Sequence, residues 1–280
     1  MRLVIISDTH GSLINDLPDG DVLIHCGDFS SFGKLDETKK FFSWFSKQQH
    51  RHKIAIPGNH EVGICPVRNP KGREDIMQLI KSYENVNFLV DKELVIDGVK
   101  FYGTPWCGGD PYIMYRWGFY ICSNEQRKYM FNKIPSDTDV LISHSPPHGI
   151  LDFYRGHLGC KQLLDKVMEV KPKVHLFGHI HGGNGHVEYN GINFFNCSNL
   201  TESYKLDYPV RIIELDNSTV TDTSTKKVSQ ETETDEVLVI NKGLFVGNCV
   251  YCNNKVFSEE THLTTNGGTM CEQCHFKHFD

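Results

Sequence analysis

Long apolar runs are missing from this 280-residue chain: no stretch approaches the roughly 18 apolar residues that a membrane-spanning helix requires, so no helical membrane span is expected. Basic charge is in short supply as well. A net charge of -6 and a pI near 6.2 give no overall attraction to a polyanionic backbone, which disfavours nucleic acid as a partner. A cleaved leader is not expected, because the first strand-like run begins at Leu3 and its end supplies Asp8 and His10, and the expected location is cytoplasmic. No internal repeat is evident. With 39% hydrophobic and 23% charged residues, the composition is that of a globular protein with one sizeable core and a small appendage.

Cysteine is abundant but lacks disulfide-like spacing over most of the chain. Cys26, Cys65, Cys107, Cys122, Cys160 and Cys197 are scattered, as reduced thiols are, and are expected to act mostly as small core residues. The other four form Cys249-x2-Cys252 and Cys271-x2-Cys274 with 18 residues between the pairs, the spacing of a four-thiolate zinc site.

Five fragments carry metal-binding side chains, each just after a short apolar run: Asp8-Thr9-His10, Gly27-Asp28, Gly58-Asn59-His60-Glu61, Ser143-His144 and Gly178-His179-Ile180-His181. The runs Leu3 to Ile6, Val22 to Ile24, Ile54 to Ile56, Val140 to Ile142 and Val174 to Phe177 read as β-strands. Ligands converge at strand ends in layered α/β sheets, so the five loops are expected to share one site. Helices are expected over Leu35 to Gln48, from the Ser123-Asn124-Glu125-Gln126 capping box to about Lys133, and over Cys160 to Val170. Asp97-Gly98 reads as a hairpin turn, and Asn193 to Asn196 and Val210 to Leu215 read as late strands. The mixture of βα units and adjacent strands predicts two sheets between helices in residues 1–215. Residues 216–236 turn abruptly polar and read as a flexible linker to a small module over 237–280.

Carboxylate, imidazole and carboxamide donors together form a ligand set that can hold two cations and split a phosphate ester. The oxygen donors suit Mn2+, Mg2+ or Fe3+, and the imidazoles also accept Fe2+ and Zn2+, so the donors leave the metal's identity open.

The motifs D-x-H, G-D, G-N-H-E, S-H and G-H-x-H occur here in order, and the chain closely resembles the calcineurin-like metallophosphoesterase superfamily over about residues 3–215. The resemblance implies a four-layer α/β sandwich and two active-site metal ions. One ion would be held by Asp8, His10, Asp28 and His181, and the other by Asp28, Asn59, His144 and His179, with Asp28 bridging. It also implies that His60 contacts the phosphate and acts as general acid, a task suited to an imidazole. Gly103-Thr104-Pro105-Trp106, Ser145-Pro146-Pro147-His148-Gly149 and the glycine-rich run after His181 look like the metallophosphoesterase-domain branch, related to class III cyclic nucleotide phosphodiesterases. That branch implies hydrolysis of a cyclic nucleotide or other small phosphodiester by a metal-bound hydroxide. The alternatives are a phosphomonoesterase, a nuclease, or a weakly active scaffold whose zinc module binds a partner.

Protein phosphatases of the superfamily carry Asp-Arg-Gly after G-D and an Arg before G-N-H-E; here Phe29-Ser30-Ser31-Phe32 follows Asp28, and Pro57 precedes Gly58. His25, His175 and His186 match no family position and are expected to be structural. Asn199 and Thr201 are read as loop residues. His148 has no assigned role, and the loop holding His157 and Cys160 lies near substrate in similar proteins. In the tail from Gly243, two lysines face four acidic residues, so an interaction or stabilising module is expected rather than a nucleic-acid binder.

Overall fold

Alternation along the first strand shows how the core is divided. In β1 (Arg2–Ile6), Leu3 and Ile5 turn towards one apolar cluster and Val4 towards another, as the two-residue repeat of a strand dictates. The computed structural model describes residues 1–108, 116–216 and 219–224. It also describes the backbone of four short strands, Phe245–Asn248, Lys255–Phe257, Thr261–Leu263 and Thr269–Cys271.

The chain continues through β2 (Val22–His25), α1 (Leu35–Phe45), β3 (His52–Ala55), α2 (Arg73–Lys81), β4 (Asn87–Phe88), β5 (Lys92–Ile96) and β6 (Val99–Thr104). A two-residue pair, β7 (Cys107–Gly108) and β8 (Tyr120–Ile121), precedes α3 (Asn124–Phe131), β9 (Val140–Ser143), α4 (Lys161–Val170) and β10 (Val174–Phe177). Then come β11 (Gly185–Tyr189), β12 (Ile192–Asn196), β13 (Arg211–Leu215) and β14 (Val220–Asp222). One six-stranded sheet has the order β14-β13-β1-β2-β3-β4 and the other β11-β12-β10-β9-β6-β5. Both are mixed. β1 to β4 run parallel while β13 is antiparallel to both β1 and β14; β12, β10, β9 and β6 run parallel while β11 and β5 are antiparallel to their neighbours.

The apolar cluster of Leu3, Ile5, Ile24, Ile54, Phe101, Ile142, Leu176 and Phe195 draws on both sheets and forms the layer between them. Outward residues such as Val4, Leu23, Leu141 and Phe194 join Phe41, Phe42, Phe45, Ile76, Leu163 and Val167 from the helices. The expected architecture of two mixed sheets flanked by helices is the observed one. Every strand that carries a motif belongs to a parallel run, so the carboxyl ends of β1, β2 and β3 lie at one edge and those of β9 and β10 at the matching edge.

The elements differ from the sequence reading at several places, among them the unforeseen β7, β8 and β11. α1 ends at Phe45 rather than Gln48, and α2 is an additional helix whose buried face is only Ile76 and Ile80. The stretch expected to begin the linker instead adds β14 to the first sheet: Val220 pairs with Leu215, and Asp222 accepts an ion pair from Arg211 at 2.8 Å. The rest of the expected linker, together with Cys249, Cys252 and Cys274, lies outside the described residues, and of Cys271 only the backbone is described. Among the described residues, no helix is long and apolar enough to cross a membrane.

Candidate metal centre

Three of the five motifs leave their strands through a turn that an ordinary residue adopts only under constraint. Asp8, His10, Asp28 and His179 all have positive φ, at 54°, 44°, 56° and 70°, a region costly to residues with a Cβ. Neighbouring loops impose the conformation. Asp8 N donates to Gly27 O and His10 N to Asp28 O, both at 3.0 Å, while His179 N donates to both oxygens of Asp8 at 3.0 Å. Glycine is required beside them: at Gly27, with φ 102°, a Cβ would strike the His144 ring, and at Gly178 it would strike the Asp8 carboxylate.

The side chains then meet. Asp8, His10 and His181 form one group with donor atoms within 4.8 Å of one another; His10, Asp28 and His60 form a second, and Asp8, Asp28 and His144 a third. Asn59 joins through Oδ1, 2.9 Å from His144 Nε2, and His179 packs against His144 with ring centroids 5.0 Å apart. The structure thus brings together all eight residues named from the sequence for this centre. Asp28 groups with His10 on one side and with His144 on the other, as a ligand shared between two positions must, and Asp8 likewise reaches both sides.

Tautomers are set from behind. His144 Nδ1 donates to Cys26 O at 2.9 Å, His181 Nδ1 to Thr201 O at 3.1 Å and His60 Nδ1 to Ser31 O at 3.1 Å, which turns each Nε2 inward. Lone pairs then face acceptors. His144 Nε2 lies 3.3 Å from Asp28 Oδ2, and His181 Nε2 lies 3.6 Å from Asp8 Oδ1. Only a proton or a metal cation reconciles such pairs, and this donor set fits the cations that the resemblance implies.

The electrostatics agree. Burial opposes charge on His144, but Asp28 overcomes it and raises the imidazole to about 9. Burial likewise works against a charged His181, and hydrogen bonding to Asp8 raises it nonetheless. Burial would raise Asp28, yet His144 and His60 hold its carboxyl well below the usual range. Burial dominates at His10, which is lowered, and at His179, lowered to about 3, so both rings are neutral and able to donate a lone pair.

Several supporting residues escape the sequence reading. Glu61, quoted there only as part of a motif, is fully buried and accepts from Asp28 N at 2.9 Å, Gly58 N at 2.6 Å, Ser30 N at 2.9 Å and Ser30 Oγ at 2.7 Å. It ties the Asp28 turn to the Asn59 turn, although burial and the Asp28 charge push its carboxyl up to about 8. Ser198 Oγ donates to Asp8 Oδ2 at 2.8 Å, and the Tyr120 phenol lies 3.2 Å from His179 Nε2. Asn199 and Thr201 are more than loop residues: Asn199 Oδ1 accepts from Ser7 N at 3.0 Å, and the Thr201 carbonyl anchors His181.

His25 and His175 are structural, and both sit directly behind the site. His25 contacts Thr9 Oγ1 at 3.0 Å, and His175 contacts Ser143 Oγ at 2.7 Å. His186 pairs with Asn193 and stacks on Phe195, away from these groups. His157 Nδ1 lies 2.6 Å from Asp152, whose other oxygen accepts from Gly149 and Gly159, and His148 packs on His157. The scattered thiols are mostly buried, as expected: Cys122 is the exposed one, and Cys107 is buried in the core and also lies beside candidate ligands.

Groups of metal-type donors thus lie at the carboxyl edges of two packed mixed sheets, the layout of a metal-binding α/β protein. Residues 1–183 match the family model of calcineurin-like phosphoesterases, and the chain belongs to that family. It is 35% identical over 241 residues to human metallophosphoesterase domain-containing protein 1, covering 76% of this chain and 71% of the human one. A UPF0046 protein of Caenorhabditis elegans, K07C11.7, is 37% identical over 206 residues, covering 71% of this chain and 69% of its own length. The fold is also similar to the crystal structure of TT1561 of Thermus thermophilus, with TM-score 0.55, 12% identity, and 80% and 98% of the two chains covered.

Proposed function

We propose that the chain hydrolyses small phosphodiesters, with a cyclic nucleotide or a related nucleotide diester as substrate. The observation that carries this reading is the placement of Asp28 in two donor clusters, with the imidazole of His60 against one of them. Asp8, His10, Asp28 and His181 would hold one cation, and Asp28, Asn59, His144 and His179 the other. Such ions, when bound, supply Lewis-acid polarisation of the phosphate and a more acidic water.

The remaining work falls to the chain itself. His60 Nδ1 is committed to Ser31 O, and its Nε2 lies 3.9 Å from Asp28 Oδ2, at the cluster, where the doubly protonated ring can deliver a proton to a departing oxygen. The backbone N–H of His60 donates to Asp28 Oδ1 at 2.8 Å, so acid and shared carboxylate are held as one unit. Aromatic rings flank the cluster. Trp117 lies 4.0 Å from the His60 ring with Phe32 stacked beyond it, and Tyr204 approaches His10 and His181 at 5.2 and 5.1 Å. Phe32 and Tyr204 are 51% and 60% exposed, apolar surface suited to a nucleobase or aryl ester.

The cysteine tail enters this proposal as a zinc-stabilised interaction module that does not choose the substrate. A substrate panel tests the reading. Metal-loaded protein should cleave bis(p-nitrophenyl) phosphate and 2′,3′- or 3′,5′-cyclic nucleotides with higher kcat/KM than phosphopeptides or duplex DNA, and deletion of residues 237–280 should leave the ranking unchanged. A preference for DNA that vanished with the tail would replace the proposal with a nuclease guided by its module.

A further inference from the structure

Cys107 has no part in the chemistry above, yet its sulfur is within reach of it. It opens β7, and its register partner across the small parallel pair is Tyr120 of β8. Tyr120 engages Nε2 of His179, which leaves Nδ1 as that ring's donor to a cation. His144 is fixed from the opposite side by Cys26 O, with Nε2 inward. Between them, Cys107 Sγ and one ring nitrogen each of His144 and His179 lie within 4.8 Å of one another. The thiol is fully buried, and its contact with Pro105 O, at 3.6 Å, is weak. Cys65 Sγ accepts from Phe119 N and Cys160 faces Gln162; Cys197 makes with Phe195 O the same weak 3.6 Å contact that Cys107 makes with Pro105 O, so neighbours, not this contact, set Cys107 apart. Among the described residues, Cys107 is the cysteine grouped with candidate ligands.

We propose that Cys107 Sγ is a further donor to the cation held by His144 and His179. The inference rests on the two-cation reading of the site and deepens it. Sulfur beside two imidazoles makes this position softer than the Asp8, His10 and His181 position, so it should select Zn2+, Fe2+ or Co2+ over Mg2+. On binding, the sulfur–metal bond forms, the S–H bond is lost and its proton leaves to solvent.

Cobalt binding to the full chain tests this. Sulfur donors give Co2+ a near-ultraviolet charge-transfer band that imidazole and carboxylate donors do not. The tail cysteines contribute a background common to all variants, so the difference spectrum is what counts. Cys107→Ser should lose part of the band and Cys160→Ser should lose none. Cys107→Ala, which removes sulfur without burying a hydroxyl, should match Cys107→Ser. Competition should show the preference for Zn2+ over Mg2+ falling by roughly tenfold or more in both Cys107 variants, the lower end of what groups tuning a metal site contribute. Superimposable spectra with equal cobalt stoichiometry would overturn the proposal and reduce Cys107 to packing. Failure of the core cluster to take cobalt in any of the proteins would overturn the two-cation reading along with it, and stoichiometry separates the two outcomes.

Discussion

Replacing Glu61 by Gln changes one atom of a buried carboxylate, and the structure shows what that atom does. Oε2 accepts from Asp28 N and Gly58 N, and Oε1 accepts from Ser30 N and Ser30 Oγ. A carboxamide presents one oxygen. Turned one way its NH2 meets Asp28 N and Gly58 N; turned the other it meets Ser30 N, while the Ser30 hydroxyl can reverse and accept from it. At least one hydrogen bond is therefore lost, worth about 1.5–3 kcal/mol where the acceptor is charged. Burial and the Asp28 charge push the carboxyl up to about 8, so a neutral Gln recovers part of that loss. The expected net destabilisation is about 1–3 kcal/mol, a sizeable share of the roughly 5–15 kcal/mol that holds a domain together. Because the same contacts orient Asp28 and the Asn59 turn, cation affinity should fall about 10–100-fold. Urea unfolding of metal-free protein reads the first quantity, and metal titration of variant that remains folded reads the second. A Glu61→Gln protein within about 0.5 kcal/mol of wild type and with unchanged affinity would refute the tethering argument.

His60→Ala should keep its metal yet lose about 10²–10⁴-fold in rate on esters with poor leaving groups, and much less on p-nitrophenyl esters, whose leaving oxygen needs no proton; equal losses on both would remove His60 from the acid role. The pH dependence of stability should report His175, whose fully buried ring is lowered to about 3. Above about pH 6.5 neither state binds its proton; between there and about 3 the unfolded state does and the native state does not, so about 1.4 kcal/mol is lost per pH unit. Chemical denaturation at pH 4 to 6 should show a slope smaller by that amount in His175→Gln, whatever the variant's stability at pH 7.

The parts legible in the sequence were those written locally. Five apolar runs ending in ligand residues marked β1, β2, β3, β9 and β10, and Asp97-Gly98, with φ of 49° and 83°, is the tight turn expected between β5 and β6. Ser123 caps α3 by accepting from Gln126 N, as its motif predicts. α2 left a faint trace because two buried isoleucines in nine residues make a thin apolar stripe. β14 was disguised by its polarity: an edge strand on the rim of a sheet needs no second apolar face. The supporting residues of the site were hidden for a different reason. Ser198 meets Asp8 across 190 positions and Tyr120 meets His179 across 59, so no local spacing announces them. Cys107 looked like a core thiol because burial and ligation favour the same residue, and only its neighbours distinguish the two.

The central claim is that one shared carboxylate organises two cations for phosphodiester hydrolysis, and Asp28→Ala tests it most directly. Metal content and bis(p-nitrophenyl) phosphate hydrolysis should be measured on the same full-length samples of wild type and variant, each stripped by chelator and then supplied with Mn2+. Wild type should lose activity on stripping and regain it with Mn2+, while Asp28→Ala should retain its fold, bind neither active-site ion and stay inactive. Hydrolysis by stripped wild type, or by the variant at the wild-type rate, would contradict the account.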